Sequence, residues 1–197
     1  AGGGYFYDFT RTWCLGYAAP EGQPLMLSLA GQPFIDTRLS FNSYLPAGLP
    51  KAIGEKLVDA WLARLRAHPH LHDKVEFDVA ITAFGFDIDE RIDTLIPGVL
   101  DAPDRDRFKE VLRAQTRSLL AGELGSMKGA LADLRLLQQR QNAFALEEQT
   151  LPDQIATLTA ECVQYGTIPF AMLARHAFIA KSLLISLEKR GVFSSQD

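Results

Sequence analysis

The sequence has few cysteines, no excess of positive charge and no long run of uncharged apolar residues. Its two cysteines, Cys14 and Cys162, cannot build a disulfide framework, so we expect a reducing, cytoplasmic setting. The 20 Lys and Arg residues are spread along the chain against 24 Asp and Glu residues, which gives a net charge of −4. Nucleic acid is therefore not an expected partner, because its binding requires a concentrated basic surface.

The most apolar long stretch, residues 168–190, contains four charged or titratable side chains: Arg175, His176, Lys181 and Glu188. Transmembrane helices rarely carry four charged or titratable side chains. We therefore predict a buried helix of a soluble protein and no contact with a membrane.

The sequence also lacks the motifs of common catalytic machinery. No serine lies in a Gly-x-Ser-x-Gly elbow, and neither cysteine has an activating base nearby in the sequence. "AGGG" at residues 1–4 and "AGELGSMKG" at 121–129 do not have the spacing of a phosphate-binding loop. The first ten residues have no basic region followed by an apolar core, so no signal peptide is expected there. We assign no catalytic residue.

Length and composition are those of one soluble globular domain, with 197 residues of which 47% are hydrophobic. Residues 1–23 are rich in glycine and aromatic residues and show no period, so we separate them as a lead-in segment. Residues 24–197 are predicted to form a single α+β domain that is mainly helical.

The first part of that domain is predicted to be a small antiparallel sheet. Alternating apolar residues on both sides of "AGQP" (30–33) indicate a β-hairpin, and "KVEFDVAI" (74–81) indicates one further strand. In the rest of the domain, apolar residues recur with the 3.6-residue period of an α-helix, which predicts a packed array of about five helices. One helix spans about residues 50–67, one begins at Asp101 or Asp104 and ends at Gly122, and one is capped by Ser126. The last two are separated by a stop at Gly166, and the final one ends at Gly191.

Asp36 and Arg38 stand two residues apart in "FIDTRLSF", where a continuing strand would place both on one face. Oppositely charged side chains on one strand face are either part of a reaction centre or form an ion pair with each other. With no nucleophile or phosphate loop in the sequence, we interpret them as a structural polar pair. If the pair is buried, Arg38→Ala is expected to cost roughly 1–3 kcal/mol of stability.

Two clusters offer an alternative chemistry. His68, His70 and His72 alternate in "AHPHLHD", and in an extended chain three imidazoles would line one face, as zinc or nickel requires. No fourth ligand is evident, so we assign no metal. The second cluster is acidic and could hold magnesium or divide acid and base roles; it comprises Glu76, Asp78, Asp87, Asp89 and Glu90. A stand-alone metal-dependent hydrolase built from these clusters is the alternative function.

Three long phrases resemble a known family. They are "PFIDTRLSFNSYLPAGL" (33–49), "LHDKVEFDVAITAFGFDIDER" (71–91) and "CVQYGTIPFAMLARHAFIAKSLLISL" (162–187). In this order they are similar to the region between the ATP-binding and phosphohistidine parts of proteins related to phosphoenolpyruvate synthase and pyruvate phosphate dikinase. The resemblance runs from about Pro24 to the C-terminus. His70 stands where the family pattern has an acidic residue.

The resemblance implies an excised internal domain of an ATP- or phosphoenolpyruvate-dependent phosphotransferase. ATP and Mg²⁺ would act in the parent protein, whose ATP-binding domain phosphorylates a histidine on a mobile domain. This sequence contains neither the Thr-Ser-His-Ala loop that carries such a histidine nor the cationic residues of the nucleotide site. The fragment itself is therefore expected to be non-catalytic and to need no cofactor.

Two roles remain open for such a domain. It is either a scaffold that docks the ATP-binding and phosphohistidine domains of the same chain, or a module that recognises a small-molecule acceptor, as the helical domain of the similar rifampicin phosphotransferases does. An apolar pocket edged by Arg38 or Arg175 would favour recognition, and an exposed patch with Trp13 would favour docking. Arg38, Arg175 and Trp13 are the candidate substrate-binding residues.

Overall fold

The computed structural model describes residues 16–18, 25–125, 127–144, 150–192 and 194. Trp13, Cys14, the Ser126 cap and most of the 1–23 segment lie outside the described residues. In the described part, two short strands precede seven α-helices, which confirms an α+β, mainly helical fold.

The predicted hairpin is confirmed. Strand β1 (Met26–Leu29) pairs antiparallel with β2 (Gln32–Ile35). Ala30 and Gly31 join them with φ angles of +51° and +78°, the type of two-residue turn that matches the twist of paired strands. The second strand is shorter than predicted because the backbone N–H of Leu39 donates to Asp36, which caps helix α1 (Thr37–Asn42).

The predicted further strand is wrong. Val75–Val79 forms one turn of π-helix, after a 3₁₀ turn at Pro69–Leu71. The backbone N–H of Ala80 donates to the carbonyl of Val75 over 2.7 Å, and the described sheet contains no strand beyond β1 and β2. The alternating pattern misled because Glu76, on the supposed solvent face, is itself packed against the body.

Helix α2 (Lys51–Ala67) occupies the range predicted from its apolar stripe. It packs with α3 (Ile88–Leu95) and α4 (Ala102–Leu120) around the main core. The ring of Phe41 meets Trp61 edge-on, with 6.1 Å between centroids. The largest fully buried side chains of this core are Phe41, Leu57, Trp61, Ile81, Ile96, Phe108 and Leu112.

Both ends of α4 follow the sequence signals. The Asp101 carboxylate accepts a hydrogen bond of 2.9 Å from the backbone N–H of Asp104, which confirms the predicted cap. At the other end Gly122 has a φ of +73°, the conformation that ends helices and favours glycine.

Helix α5 (Met127–Phe144) packs against a long helix made of α6 (Leu151–Glu161), a π-helical segment (Cys162–Thr167) and α7 (Ile168–Lys189). The predicted stop at Gly166 is wrong, since the helix runs through it. A Cβ on Gly166 would lie 3.1 Å from Leu137 of α5, so this glycine permits close helix packing. The stop at Gly191 is confirmed by its φ of +70°.

The long helix is more exposed than the sequence predicted. Leu151–Lys189, 39 residues, is long and apolar enough by length and composition alone to cross a membrane, and only 17% of its most apolar window is buried. The expectation of a buried helix over residues 168–190 is therefore wrong. The buried residues of α7 are Pro169, Ala171, Arg175, Ile179 and Ser186.

A second, smaller core lies where α7 meets the body. Tyr17, Ala83, Leu119 and Ile179 pack together there, and Tyr17 is fully buried. The Tyr17 hydroxyl donates to the carbonyl of Thr82. Part of the segment that the sequence separated as a lead-in therefore belongs to the body.

Helices α3 and α4 are linked by an exposed ion-pair network. Arg105 donates to Asp93 at 2.5 Å and to Asp89 at 3.1 Å, and Lys109 donates to Asp89 at 3.0 Å. The hydrogen bond from Lys109 lowers the pKa of Asp89, and the hydrogen bond from Arg105 lowers that of Asp93. Both carboxylates therefore bind protons less readily in the folded protein.

This network predicts a dependence of stability on acid. A lowered pKa adds stability above the ordinary Asp value of about 3.9, and that stability is lost as the pH falls through the lower folded-state pKa. We expect Arg105→Gln to be less stable than wild type at neutral pH and the gap to shrink at acid pH, as measured by urea unfolding. Arg66→Gln, for which the described residues offer no carboxylate partner, is the control. An Arg105→Gln gap equal at both pH values would contradict the prediction.

Candidate functional site

Asp36 and Arg38 do not form the predicted pair. Asp36 caps α1, whereas Nη2 of Arg38 contacts Oδ1 of Asp59 on α2 at 2.6 Å. Because Asp36 ends the strand, the two residues do not share a strand face. The Arg38–Asp59 pair is exposed, with 56% and 64% of the two side chains accessible.

Arg38 nevertheless lines a cleft of about 440 Å³, which we call the Arg38 cleft. Its walls are mainly apolar and come from α1, the following loop and the start of α2. A Cβ on Gly54 would lie 2.9 Å from Leu45, so the glycine lets this loop close onto α2. The residues that define the cleft include Ala18, Arg38, Asn42, Leu45, Lys51 and Val58.

Arg175 lies in the interior of the protein instead of at a pocket edge. Its side chain is 2% exposed, and Nη1 is 3.5 Å from Oε1 of Glu76. The guanidinium lies over the rings of Tyr44, at 4.7 Å, and Tyr17, at 5.1 Å. Within the described residues neither Nη atom has a hydrogen-bond partner. The third candidate, Trp13, lies outside the described residues.

The three histidines are not in an extended chain, which was the condition for a shared metal face. His68 ends α2, His70 lies in the 3₁₀ turn, and Nδ1 of His72 is 3.1 Å from the carbonyl of Pro69. In the part of the chain that the structure describes, no group of three His, Cys, Asp or Glu side chains is arranged to hold a metal.

The acidic cluster is divided by the fold. Glu76 points to Arg175, and Asp89 joins the network between α3 and α4. The other three, Asp78, Asp87 and Glu90, line one cleft of about 340 Å³, which we call the acidic cleft. The acidic cluster predicted from the sequence therefore contains all three carboxylates of this cleft, together with Glu76 and Asp89, which make other contacts.

The acidic cleft lies between the Val75–Val79 turn, α3 and the end of α7. Two cations and two hydroxyl groups join the carboxylates, and three apolar side chains complete the lining. The full lining comprises Phe77, Asp78, Asp87, Glu90, Arg91, Thr94, Leu95, Ser182, Ile185 and Lys189.

Lys189, at the end of α7, crosses to the start of α3. Its Nζ lies 3.0 Å from Oδ2 of the buried Asp87 and 3.7 Å from Oε1 of Glu90. The next residue, Arg190, donates two hydrogen bonds to the carbonyl of Phe86, at 2.6 and 3.1 Å. The end of α7 is thus fixed to the segment that begins α3.

A glycine permits this contact between α7 and the body. A Cβ on Gly85 would lie 2.8 Å from Oδ1 of Asp87 and 3.2 Å from Cβ of Ser186. Ser186 is fully buried, and its hydroxyl donates to the carbonyl of Leu183. A small residue on each side therefore lets α7 approach closely enough to form one wall of the cleft.

Arg91, the second cation of the acidic cleft, is directed toward the backbone. Its Nη2 lies 3.4 Å from the carbonyl oxygens of Glu76 and Phe77. Burial lowers its pKa, against the opposing influence of Asp87 and then Asp78. Neither Arg91 nor Lys189 was among the residues predicted from the sequence. The helical period places Ser182, Ile185 and Lys189 on one face of the final helix, but nothing in the sequence places that face beside α3.

The described surface carries a further apolar feature, the α6 stripe, formed by Leu151, Ile155 and Leu158. These side chains are 71%, 61% and 37% exposed. Their spacing of four and three residues places them on one face of α6.

No protein-family model, no curated protein and no solved structure matches the chain. The resemblance to phosphoenolpyruvate synthase-like proteins therefore stays a prediction.

The exposed Arg38–Asp59 pair predicts a small effect of Arg38→Ala. Exposed ion pairs contribute at most about 1 kcal/mol, because water and salt screen them. We expect urea unfolding to show a loss below that value and an equally small loss for Asp59→Asn. A loss above about 2 kcal/mol for Arg38→Ala would contradict this prediction and indicate that Arg38 forms a buried ion pair.

The buried Arg175–Glu76 pair predicts strong coupling. Arg175→Met keeps much of the apolar bulk but leaves Glu76 without its cation, so we expect a loss of about 3–5 kcal/mol in the free energy of unfolding. Adding Glu76→Gln should recover much of this loss in a double-mutant cycle. The control is Lys128→Met, an exposed position in α5. Additive losses from the two single substitutions would contradict the coupling.

Proposed function

We propose that this chain is the non-catalytic middle domain of a phosphoenolpyruvate synthase-like phosphotransferase. It holds the ATP-binding and phosphohistidine domains of the same parent chain within reach of each other. Docking of this kind raises the effective concentration of the reacting groups, so transfer between domains becomes intramolecular. ATP and Mg²⁺ act in those other domains.

The observation that carries the proposal is the α6 stripe. Three large apolar side chains face solvent on one side of a helix that has no buried residue. Helices of soluble domains normally bury such an apolar face against the rest of the domain. An exposed apolar face is typical of a surface that contacts another polypeptide. Since α6 contributes no residue to either core cluster, its apolar residues are not explained by packing within the described chain.

The partner in this proposal is the remainder of the parent chain. The three phrases that resemble the family follow one another in the family's order, from residue 33 to residue 187. In that family the ATP-binding part precedes this region and the phosphohistidine part follows it. Both partners are thus joined covalently to this domain, which makes a modest apolar contact sufficient for docking.

A second role, recognition of a small-molecule acceptor, is favoured by the Arg38 cleft. Its volume of about 440 Å³ is within the range of small-molecule sites, and its walls are mainly apolar. Arg38 and Asn42 supply polar groups that would orient an acceptor at its edge. This role is compatible with docking through α6, since the two features use different elements.

The docking role is tested in the parent protein. Charges in the stripe, Ile155→Asp with Leu158→Asp, should slow phosphoryl transfer between the domains by about tenfold or more, the factor that 1.4 kcal/mol of lost docking produces. Nucleotide affinity should stay unchanged. Ala160→Asp, which adds a charge to the opposite side of α6, should have little effect.

Two biochemical outcomes would contradict the proposal. One is unchanged transfer in the Ile155→Asp, Leu158→Asp variant. The other is the formation of phosphohistidine by the purified chain alone from ATP or phosphoenolpyruvate. A coding sequence without an ATP-binding region upstream or a Thr-Ser-His-Ala loop downstream would contradict the assignment of the parent.

A further inference from the structure

Helix α5, helix α6, the π-helical segment and helix α7, which together we call the arm, contribute little to the interior of the protein. Across the described side chains of the arm six residues are buried, and only Ile179 among them is large and apolar. Helix α2 alone buries six of its 17 residues. Few apolar contacts therefore hold the arm to the body. The other buried residues of the arm are Ala130, Pro169, Ala171, Arg175 and Ser186.

The main core is built without the arm. All of its buried residues lie between Phe41 and Leu112, in elements that precede the arm in the sequence. The arm reaches the body through the second core instead, where Ile179 packs with Tyr17 and Leu119. Folded proteins open locally in contiguous units, and units with few buried apolar contacts open at the lowest free energy. The separation of the two cores thus divides this chain into two such units.

The polar contacts of the arm determine its position more than they strengthen its attachment. Arg175 lies 3.5 Å from Glu76, and a buried ion pair of this kind adds little net stability, because the cost of removing both charges from water offsets their attraction. At the end of α7, Lys189 contacts Asp87 at 3.0 Å but keeps 45% of its side chain exposed. Water and salt weaken such an exposed contact.

The linker between the body and the arm contains two glycines in the left-handed region. The chain leaves α4 at Leu120 and enters α5 at Met127, and between them Gly122 has a φ of +73° and Gly125 a φ of +56°. Glycine adopts many backbone conformations at little cost, and hinges are short segments that absorb changes in φ and ψ. The arm can therefore turn while the helices beside the linker stay intact.

We propose that the arm opens away from the body, turning about Gly122 and Gly125, while the main core stays folded. The contacts of Ile179, Arg175 and Lys189 with the body break in this opening. Because the α6 stripe lies on the arm, opening moves that surface relative to the body, and this consequence rests on the proposed function. The opening itself does not depend on the docking role, and its test needs only the purified chain.

The test measures how often a buried thiol becomes accessible. Ser186→Cys places a thiol on the buried side of α7, and Leu57→Cys places one in the main core, both at side chains with no exposed surface. Cys14 and Cys162 are changed to serine in both proteins. The rate of reaction with a thiol reagent is measured under conditions in which it is proportional to the open fraction.

Two matched substitutions separate the units. Ile53 of the main core and Ile179 of the second core are both 4% exposed. Ile53→Val should raise the labelling rate at position 57 by about threefold to tenfold and leave the rate at position 186 unchanged, because the main core stays intact when the arm opens. Ile179→Val should raise both rates by the same factor, since its contact is lost in either opening.

Equal acceleration at positions 57 and 186 by Ile53→Val would show a single cooperative unit and overturn the proposal. A rate at position 186 that Ile179→Val leaves unchanged would also overturn it, because the thiol would then become accessible without loss of the second core. Val58→Cys, which removes less side-chain volume, replaces Leu57→Cys if that variant does not fold.

Discussion

The arrangement of this protein depends on one buried cation. Arg175 enters the interior from α7 and meets Glu76, Tyr17 and Tyr44, which belong to three separate segments. Removing a guanidinium from water is costly, and here a carboxylate at 3.5 Å and two aromatic faces offset that cost. Because these partners come from three separate segments, we infer that the contact determines how α7 lies on the body as well as how tightly it is held.

Other contacts follow from that position. Ile179 reaches the second core, Ser186 meets Gly85, and Lys189 reaches Asp87, all from the side of α7 that carries Arg175. Their spacing of about one or two helical turns repeats along a single face. The acidic cleft is therefore a consequence of the same docking, because one of its walls is the last turn of α7.

Where local chemistry alone specifies an element, the sequence predicted it well. The Ala30–Gly31 turn, the Asp101 cap and the stop at Gly122 each depend on neighbours within a few residues. Fold class and the span of α2 followed from the same kind of signal. Asp36 was the exception, since an aspartate between apolar residues serves equally as a strand residue and as a helix cap, and only the structure distinguishes the two.

Features that depend on distant contacts were not accessible in this way. The alternation in residues 75–79 is shared by a strand and by a turn packed on both sides, so it could not identify the π-helix. The carboxylates of the acidic cleft were found as a group of acids in the sequence. Lys189, which stands 102 positions after its partner Asp87, could not be placed beside them without the fold.

The π-helical segment at Cys162–Thr167 bears on the evolution of this protein, because its length determines how α6 is oriented relative to α7. An α-helix turns by about 100° for each residue, so the segment sets the angular phase between α6 and α7. Loss of a single codon there would leave both helices intact and turn Leu151, Ile155 and Leu158 about a quarter of the way around the axis. The direction in which the α6 stripe faces therefore depends on the number of residues in this segment. Substitutions elsewhere in the helix do not change that number.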